Sequence, residues 1–193
     1  MSKVLLFNAD PAPEGANYTD AYLAALSHAL AKKAEVTVLK ITEADSDAIH
    51  EAAAAADKTV FAFPLCMDTL PPQLRRFFEE TDNLSGRACG LISTDVLEFG
   101  HTDFAEPQLR LACERRGMDY ACTMKIGGGP RLADGIYRAY LNMKLQKFAK
   151  QLLFDKDVNV GVQMPVGKSN FVLSGDRFVK KKAKPYGHKI IDL

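Results

Sequence analysis

The 193-residue sequence predicts a single α/β domain built on a five-stranded parallel sheet with helices on both faces. Two observations predict this fold. Five short apolar runs of strand length alternate with five segments in which apolar residues recur at helical spacing. Such strict alternation is typical of a parallel sheet that is covered by helices on both faces. For five doubly wound strands, the expected strand order is 2-1-3-4-5.

The first three β–α units follow from periodicity and from helix-start signals. Strands are predicted at 3–7, 36–41 and 59–63, where apolar and β-branched residues cluster. Helices are predicted at 18–33, from the spacing of Tyr22, Leu23 and Leu26, and at the alanine-rich stretch 47–57. The third helix is expected to begin at Pro71 and Pro72, because proline loses no hydrogen bond in the first helical turn.

The last two units are predicted on the same grounds. Strands are expected at 88–93 and 120–126, and helices at 106–116 and 137–154. Gly117 is expected to end the fourth helix in a left-handed conformation, after two arginines in the last turn. The tail departs from the alternation. We therefore predict a domain at 1–155 and a C-terminal extension at 156–193, with a possible hairpin formed by 170–173 and 177–180.

Composition and charge exclude several classes of function. The net charge is +1, and no apolar run approaches the length of a membrane span, so neither a nucleic acid nor a membrane is an expected partner. No signal-peptide pattern is visible, and the four cysteines form no CxxC motif. We therefore expect reduced thiols in a cytoplasmic protein. The four histidines are scattered, and no metal site is predicted.

The site is expected at the carboxyl ends of strands one, three and four, close to the point where the strand order reverses. The first loop, residues 8–18, runs into a helix whose N-terminus can hold a phosphate. Asn17 or Thr19 is the expected helix cap, with its side chain facing the phosphate. Asp10 and Glu14 are unfavourable for such a site, because carboxylates repel a phosphate.

The second loop, residues 64–69, and the third loop, residues 94–103, supply the rest of the predicted site. Pro64, Leu65 and Met67 offer an apolar surface for a flat ring. Cys66 is interpreted as an inert thiol, since the sequence places no base beside it. In the third loop, a glycine allows close approach of the backbone, and His101 is a candidate substrate-lining residue.

Three stretches resemble the NAD(P)H-dependent FMN reductase or quinone reductase branch of the flavodoxin-like superfamily. The pattern G-x-N-x-T at 15–19 is similar to the phosphate loop of that family. The run FAFPLCMDTLPPQLRRFFE at 61–79 is similar to its FPLYVDSLP segment and is the most specific match. The run at 111–129 resembles its last helix–strand step, which ends in glycines. The resemblance covers the region from Lys3 to Phe154.

This resemblance implies a flavodoxin-like fold, FMN as cofactor, NADH or NADPH as electron donor and a homodimer. The implied reaction reduces a small-molecule acceptor, such as a quinone or a free flavin, and needs no catalytic side chain. The implied phosphate contacts are Ala9, Asn17, Tyr18 and Thr19. The implied isoalloxazine contacts are Pro64, Leu65, Cys66, Met67, Asp68, Thr94, Phe99 and Gly100.

Three alternatives remain open from the sequence. The first is a flavodoxin-like binding or interaction protein that has lost FMN and has no enzymatic activity, which the acidic residues of the first loop favour. The second is a response-regulator receiver, to which Thr94 and Lys125 roughly correspond, although Pro64 stands where its phospho-acceptor aspartate is required. The third is an electron carrier, which the near-neutral charge disfavours.

Overall fold

In the part of the chain that the structure describes, the fold is α/β, with a parallel sheet of six strands that are ordered 2-1-3-4-5-6 when numbered along the chain. The computed structural model describes residues 1–12, 18–65, 67–95, 99–133 and 137–163. The strands are β1 Ser2–Asn8, β2 Ala34–Lys40, β3 Lys58–Pro64, β4 Arg87–Thr94, β5 Asp119–Gly127 and β6 Val160–Val162. The helices are α1 Thr19–Leu30, α2 Ser46–Ala55, α3 Pro72–Glu80, α4 Ala105–Arg115, α5 Gly129–Ala133 and α6 Arg138–Leu153, with a 3₁₀ turn at Phe99–Asp103.

The sheet separates two hydrophobic cores, because successive residues of a strand point to opposite faces. In β1, Leu6 packs with α1 and α6 on one face, while Phe7 packs with α2, α3 and α4 on the other. The central strands are buried on both faces, which explains their nearly continuous apolar sequences. The predicted fold class and the order of the first five strands are confirmed.

Two local predictions can be compared directly with the structure. Gly117 has a φ of 89° and follows α4, so the predicted left-handed end of that helix is confirmed. Among the described residues the sheet has six strands, one more than the five that were predicted. The sixth pairs with the carboxyl half of β5 in parallel register, with Gly161 opposite Lys125.

The side chain of Asn159 holds this short edge strand in place. Its side-chain oxygen accepts a hydrogen bond from the backbone N–H of Thr123 at 2.8 Å, and its amide donates to Glu106 at 3.1 Å. The first residues of the predicted extension therefore complete the sheet. The hairpin predicted at 170–180 lies outside the described residues, and the domain boundary at residue 155 stays a prediction.

Within the described residues, no helix is long and apolar enough to cross a membrane.

Candidate flavin site at the carboxyl edge of the sheet

A cavity of about 270 Å³ lies at the carboxyl ends of β3 and β4. The chain reverses its direction of travel across the sheet between β1 and β3, so the cavity lies beside the point where ligands bind in doubly wound proteins. It is lined by Pro64, Leu65, Met67, Asp68, Thr94, Asp95 and His101. Six of these seven residues were predicted from the sequence, and Asp95 is the addition.

The backbone around the cavity is fixed by contacts with neighbouring elements. The N–H of Leu65 donates to the carbonyl oxygen of Ser93 at 2.7 Å, which joins the second loop to β4. Met67 and Asp68 follow with φ angles of 49° and 60°, a left-handed conformation that costs energy in residues other than glycine. The surrounding structure must therefore hold these two residues in place.

Gln108 of α4 holds this loop. Its amide donates to the carbonyl oxygen of Asp68 at 3.2 Å, and its oxygen accepts from the hydroxyl of Thr69 at 2.8 Å. The same amide donates to the carbonyl oxygen of Phe104 one turn back, at 3.0 Å. One side chain of α4 therefore fixes the second loop, which forms a wall of the cavity.

The polar lining of the cavity includes two carboxylates. Asp68 and His101 face each other, with Nδ1 and Oδ1 3.8 Å apart, and both side chains are about half exposed. Asp95 adds a second carboxylate to the lining, whereas Thr94 is buried at the end of β4. Carboxylates are hydrogen-bond acceptors only, so this surface suits the N–H donors of a ligand ring.

The residues predicted to contact the phosphate are arranged differently. Ala9 is fully buried, and its N–H donates to the carbonyl oxygen of Ala62 at 2.8 Å, so it is not available to a ligand. Thr19 is the first residue of α1 and not its cap; that position belongs to Tyr18, which is 40% exposed and makes no side-chain capping bond. The hydroxyl of Thr19 donates to the carboxylate of Asp10 at 2.7 Å. Asn17 lies outside the described residues.

Two predicted ring contacts do not line the cavity. The ring of Phe99 lies against Gly161 of β6, where an added Cβ would come within 2.9 Å of the ring. Gly100 is not among the lining residues, and an added Cβ there would meet no protein atom within 4 Å, so its predicted close approach to a ligand stays a prediction. Cys66 is not among the described residues.

Lys125 at the end of β5 is part of a separate network. Its ammonium nitrogen forms an ion pair with a carboxylate oxygen of Asp103 at 2.5 Å and a second ion pair with Glu106. Burial favours the neutral form of Glu106, but the hydrogen bond and positive charge of Lys125, together with hydrogen bonds from Thr123 and Asn159, outweigh it and hold the pKa of Glu106 below its ordinary value. Lys125 thus supports the third loop and α4.

A larger cavity of about 450 Å³ lies between α3 and α4, and none of the predicted site residues line it. In the described part of the chain, no group of three or more His, Cys, Asp or Glu side chains could hold a metal ion.

The fold resembles solved structures of reductases. The NAD(P)H:quinone oxidoreductase from Methanothermobacter marburgensis is 16% identical, with 78% of this chain and 96% of that chain covered and a TM-score of 0.60. An NADH:FMN oxidoreductase is 15% identical over 78% and 90% of the two chains, with a TM-score of 0.62. An FMN-dependent NADH-azoreductase from Bacillus anthracis, solved in complex with FMN, is 12% identical. The match covers 79% of this chain and 100% of that chain, with a TM-score of 0.57.

These similarities establish the flavodoxin-like fold, as the sequence resemblance predicts. No protein-family model matches the chain, and no curated protein matches it significantly.

Proposed function

We propose that this protein is a cytoplasmic flavin-dependent NAD(P)H reductase that reduces small acceptors such as quinones or free flavins. FMN is the flavin that the sequence resemblance implies, and NADH or NADPH is the donor. The observation that carries the proposal is the cavity at the ends of β3 and β4, where six residues assigned to the ring or the substrate meet. The reductases with the same fold, described above, support it.

The size and lining of the cavity fit an isoalloxazine ring. Small-molecule sites usually measure roughly 300–1,000 Å³, so a cavity of about 270 Å³ suits one ring system and not a whole dinucleotide. Pro64 and Leu65 form an apolar wall, and the carboxylate of Asp68 or Asp95 can accept a hydrogen bond from the single N–H of an oxidised isoalloxazine ring. The phosphate of FMN fits less well, because Asp10 already bonds to Thr19.

The residues of the chain would bind and orient the ring, since a bound flavin supplies the hydride chemistry itself. The second loop is held by Ser93 and Gln108, so the wall it forms is pre-organised. His101 stands half exposed at the edge of the cavity, where it can contact an incoming acceptor. In this proposal, no side chain acts as a nucleophile.

We further propose a homodimer in which a second copy covers the cavity. Phe104, directly before α4, is 62% exposed, and Leu111 of α4, which lines a groove together with Thr69 of the second loop, is 48% exposed. Burial of such side chains in an interface would be favourable. Light scattering coupled to size-exclusion chromatography tests this: a mass of twice 21.2 kDa supports the dimer, and a mass of 21.2 kDa contradicts it.

Oxidation of NADH and NADPH, followed in the presence of a flavin and a soluble quinone, tests the activity. The wild type is expected to accelerate the reaction beyond the flavin alone. Leu65→Asp places a charge on the apolar wall and is expected to abolish the acceleration. Met143→Asp introduces the same charge at an exposed position of α6, away from the cavity, and should leave the rate unchanged.

A second candidate function is a flavodoxin-like interaction protein that binds no flavin. The buried carboxylate of Asp10 at the start of α1 favours it. A colourless preparation that leaves the fluorescence of added FMN and riboflavin unchanged supports this second candidate and contradicts the first.

A further inference from the structure

We infer that Asp10 is a specificity-determining residue that takes the place of a flavin's phosphate, so that the site prefers an unphosphorylated flavin such as riboflavin over FMN. This inference rests on the proposed function, since it concerns which flavin the same site accepts. It refines the sequence prediction of FMN.

Asp10 is built into the structure and is not a surface carboxylate. It lies two residues after β1, beside the reversal of strand order, and is only 3% exposed. One carboxylate oxygen accepts from the N–H of Ala12 at 2.9 Å, and the other accepts from the hydroxyl of Thr19 at 2.7 Å. The hydroxyl that the sequence assigns to the phosphate is therefore already donated to an internal anion.

The position of this bond matters because Thr19 is the first residue of α1. The N-terminus of a helix stabilises negative charge through its dipole and its unpaired N–H groups. Asp10 places a carboxylate at that end of the helix. A phosphate bound there would face a like charge in a buried environment, where repulsion is poorly screened.

In the described part of the chain, Asp10 is linked to a further carboxylate. Asn8 links Asp10 to Asp20: its side-chain oxygen accepts from the N–H of Asp10 at 2.9 Å, and its amide donates to Asp20 at 2.6 Å. The ammonium nitrogen of Lys40 lies 4.0 Å from a carboxylate oxygen of Asp20 and 2.9 Å from one of Glu43. Among the described residues of this network, three carboxylates therefore accompany one ammonium group, which is already paired.

The ring subsite is separate from this network. None of the residues that line the cavity belongs to it, so Asp10 opposes the phosphate without blocking the ring. The sugar-alcohol tail of riboflavin is neutral, and its hydroxyls can donate to a carboxylate. A fully ionised phosphate has only acceptors, so it cannot do so.

Equilibrium titration, followed by flavin fluorescence, measures dissociation constants for riboflavin and for FMN with the wild type and three variants. Asp10→Ser supplies a donor hydroxyl, and Asp10→Asn removes the charge while keeping the size. Asp82→Asn removes one negative charge from an exposed position after α3 and serves as the matched control. Thermal unfolding of each variant checks its folding.

The wild type is expected to bind riboflavin at least as tightly as FMN. Asp10→Ser is expected to shift the ratio toward FMN by roughly tenfold or more, the scale of one charge-assisted hydrogen bond. Asp10→Asn should shift it in the same direction, and Asp82→Asn should not shift it.

The inference, but not the proposed function, is overturned if the wild type binds FMN at least tenfold more tightly than riboflavin. This result counts even if a variant does not fold. An unchanged ratio in a folded Asp10→Ser variant would do the same. If neither flavin binds to any of these proteins, the proposed function fails and this inference fails with it.

Discussion

The side-chain amide of Gln108 donates to the backbone carbonyl of Asp68 at 3.2 Å, which ties α4 to a loop forty residues earlier in the chain. The loop needs this support, because Met67 and Asp68 both adopt positive φ angles. A single helical side chain therefore fixes the wall of the candidate flavin cavity.

Replacement of Gln108 by alanine is expected to loosen this wall. The variant loses three partly exposed hydrogen bonds, so its free energy of unfolding should fall by only about 1 kcal/mol. Flavin affinity should fall by roughly fivefold or more, because ordering the loop then becomes part of the binding cost. Gln146→Ala, at an exposed position of α6, is the control and should change neither quantity. Equal flavin affinity in the two variants would contradict a role for Gln108 in the site.

Met67→Gly is expected to leave the free energy of unfolding unchanged or to raise it by up to about 1 kcal/mol. The side chain of Met67 is 93% exposed, so its removal loses little packing, and glycine adopts a φ of 49° without strain. Met143→Gly makes the same substitution at an exposed helical position and should cost about 1 kcal/mol. Urea unfolding of both variants measures this contrast. A large loss of stability in Met67→Gly would show that the left-handed conformation is not strained.

The network of Lys125 and Glu106 predicts a dependence of stability on acid. Because the pKa of Glu106 is lowered in the folded protein, its contribution is complete above its ordinary value of 4.5 and is lost as the pH falls through the lower folded pKa. Glu106→Gln should therefore be less stable than the wild type at neutral pH, and the difference should shrink below about pH 4.5. Urea unfolding across this pH range measures it. The control, Glu79→Gln at an exposed position, should differ little from the wild type in free energy of unfolding at every pH. A loss of stability in Glu106→Gln that is the same at every pH would refute the ion pair of Glu106 with Lys125.

Three cysteines are expected to resist alkylation in the native protein. Cys89, Cys113 and Cys122 are free and buried, and burial raises the pKa of the Cys113 thiol well above its usual range. Iodoacetamide treatment followed by peptide mass spectrometry should therefore find them modified only after unfolding. Rapid modification of any of the three under native conditions would contradict their placement in the core.

Local patterns in the sequence predicted most of the fold. Apolar periodicity located the helices, because Leu23 and Leu26 must share a buried face of α1. The strand β6 was missed, since three residues that include Gly161 are too short to show a pattern. Its position depends on Asn159, whose partners are distant in the chain.

The candidate site was predicted in part. The second loop was identified because its apolar run is unusual at a strand end, and Leu65 and Met67 do line the cavity. The bond between Thr19 and Asp10 could not be predicted, because it forms only when the first loop folds back on α1. Gln108 carried no signal, since its contacts with the second loop come from tertiary packing.

The central claim is that the cavity between the ends of β3 and β4 holds a flavin ring. It is tested most directly by titrating riboflavin into the wild type, Leu65→Asp and Met143→Asp at equilibrium. We predict saturable binding of one flavin per chain to the wild type and to Met143→Asp, with binding lost in a folded Leu65→Asp variant. No saturable binding to the wild type, or equal binding to Leu65→Asp, would contradict the account.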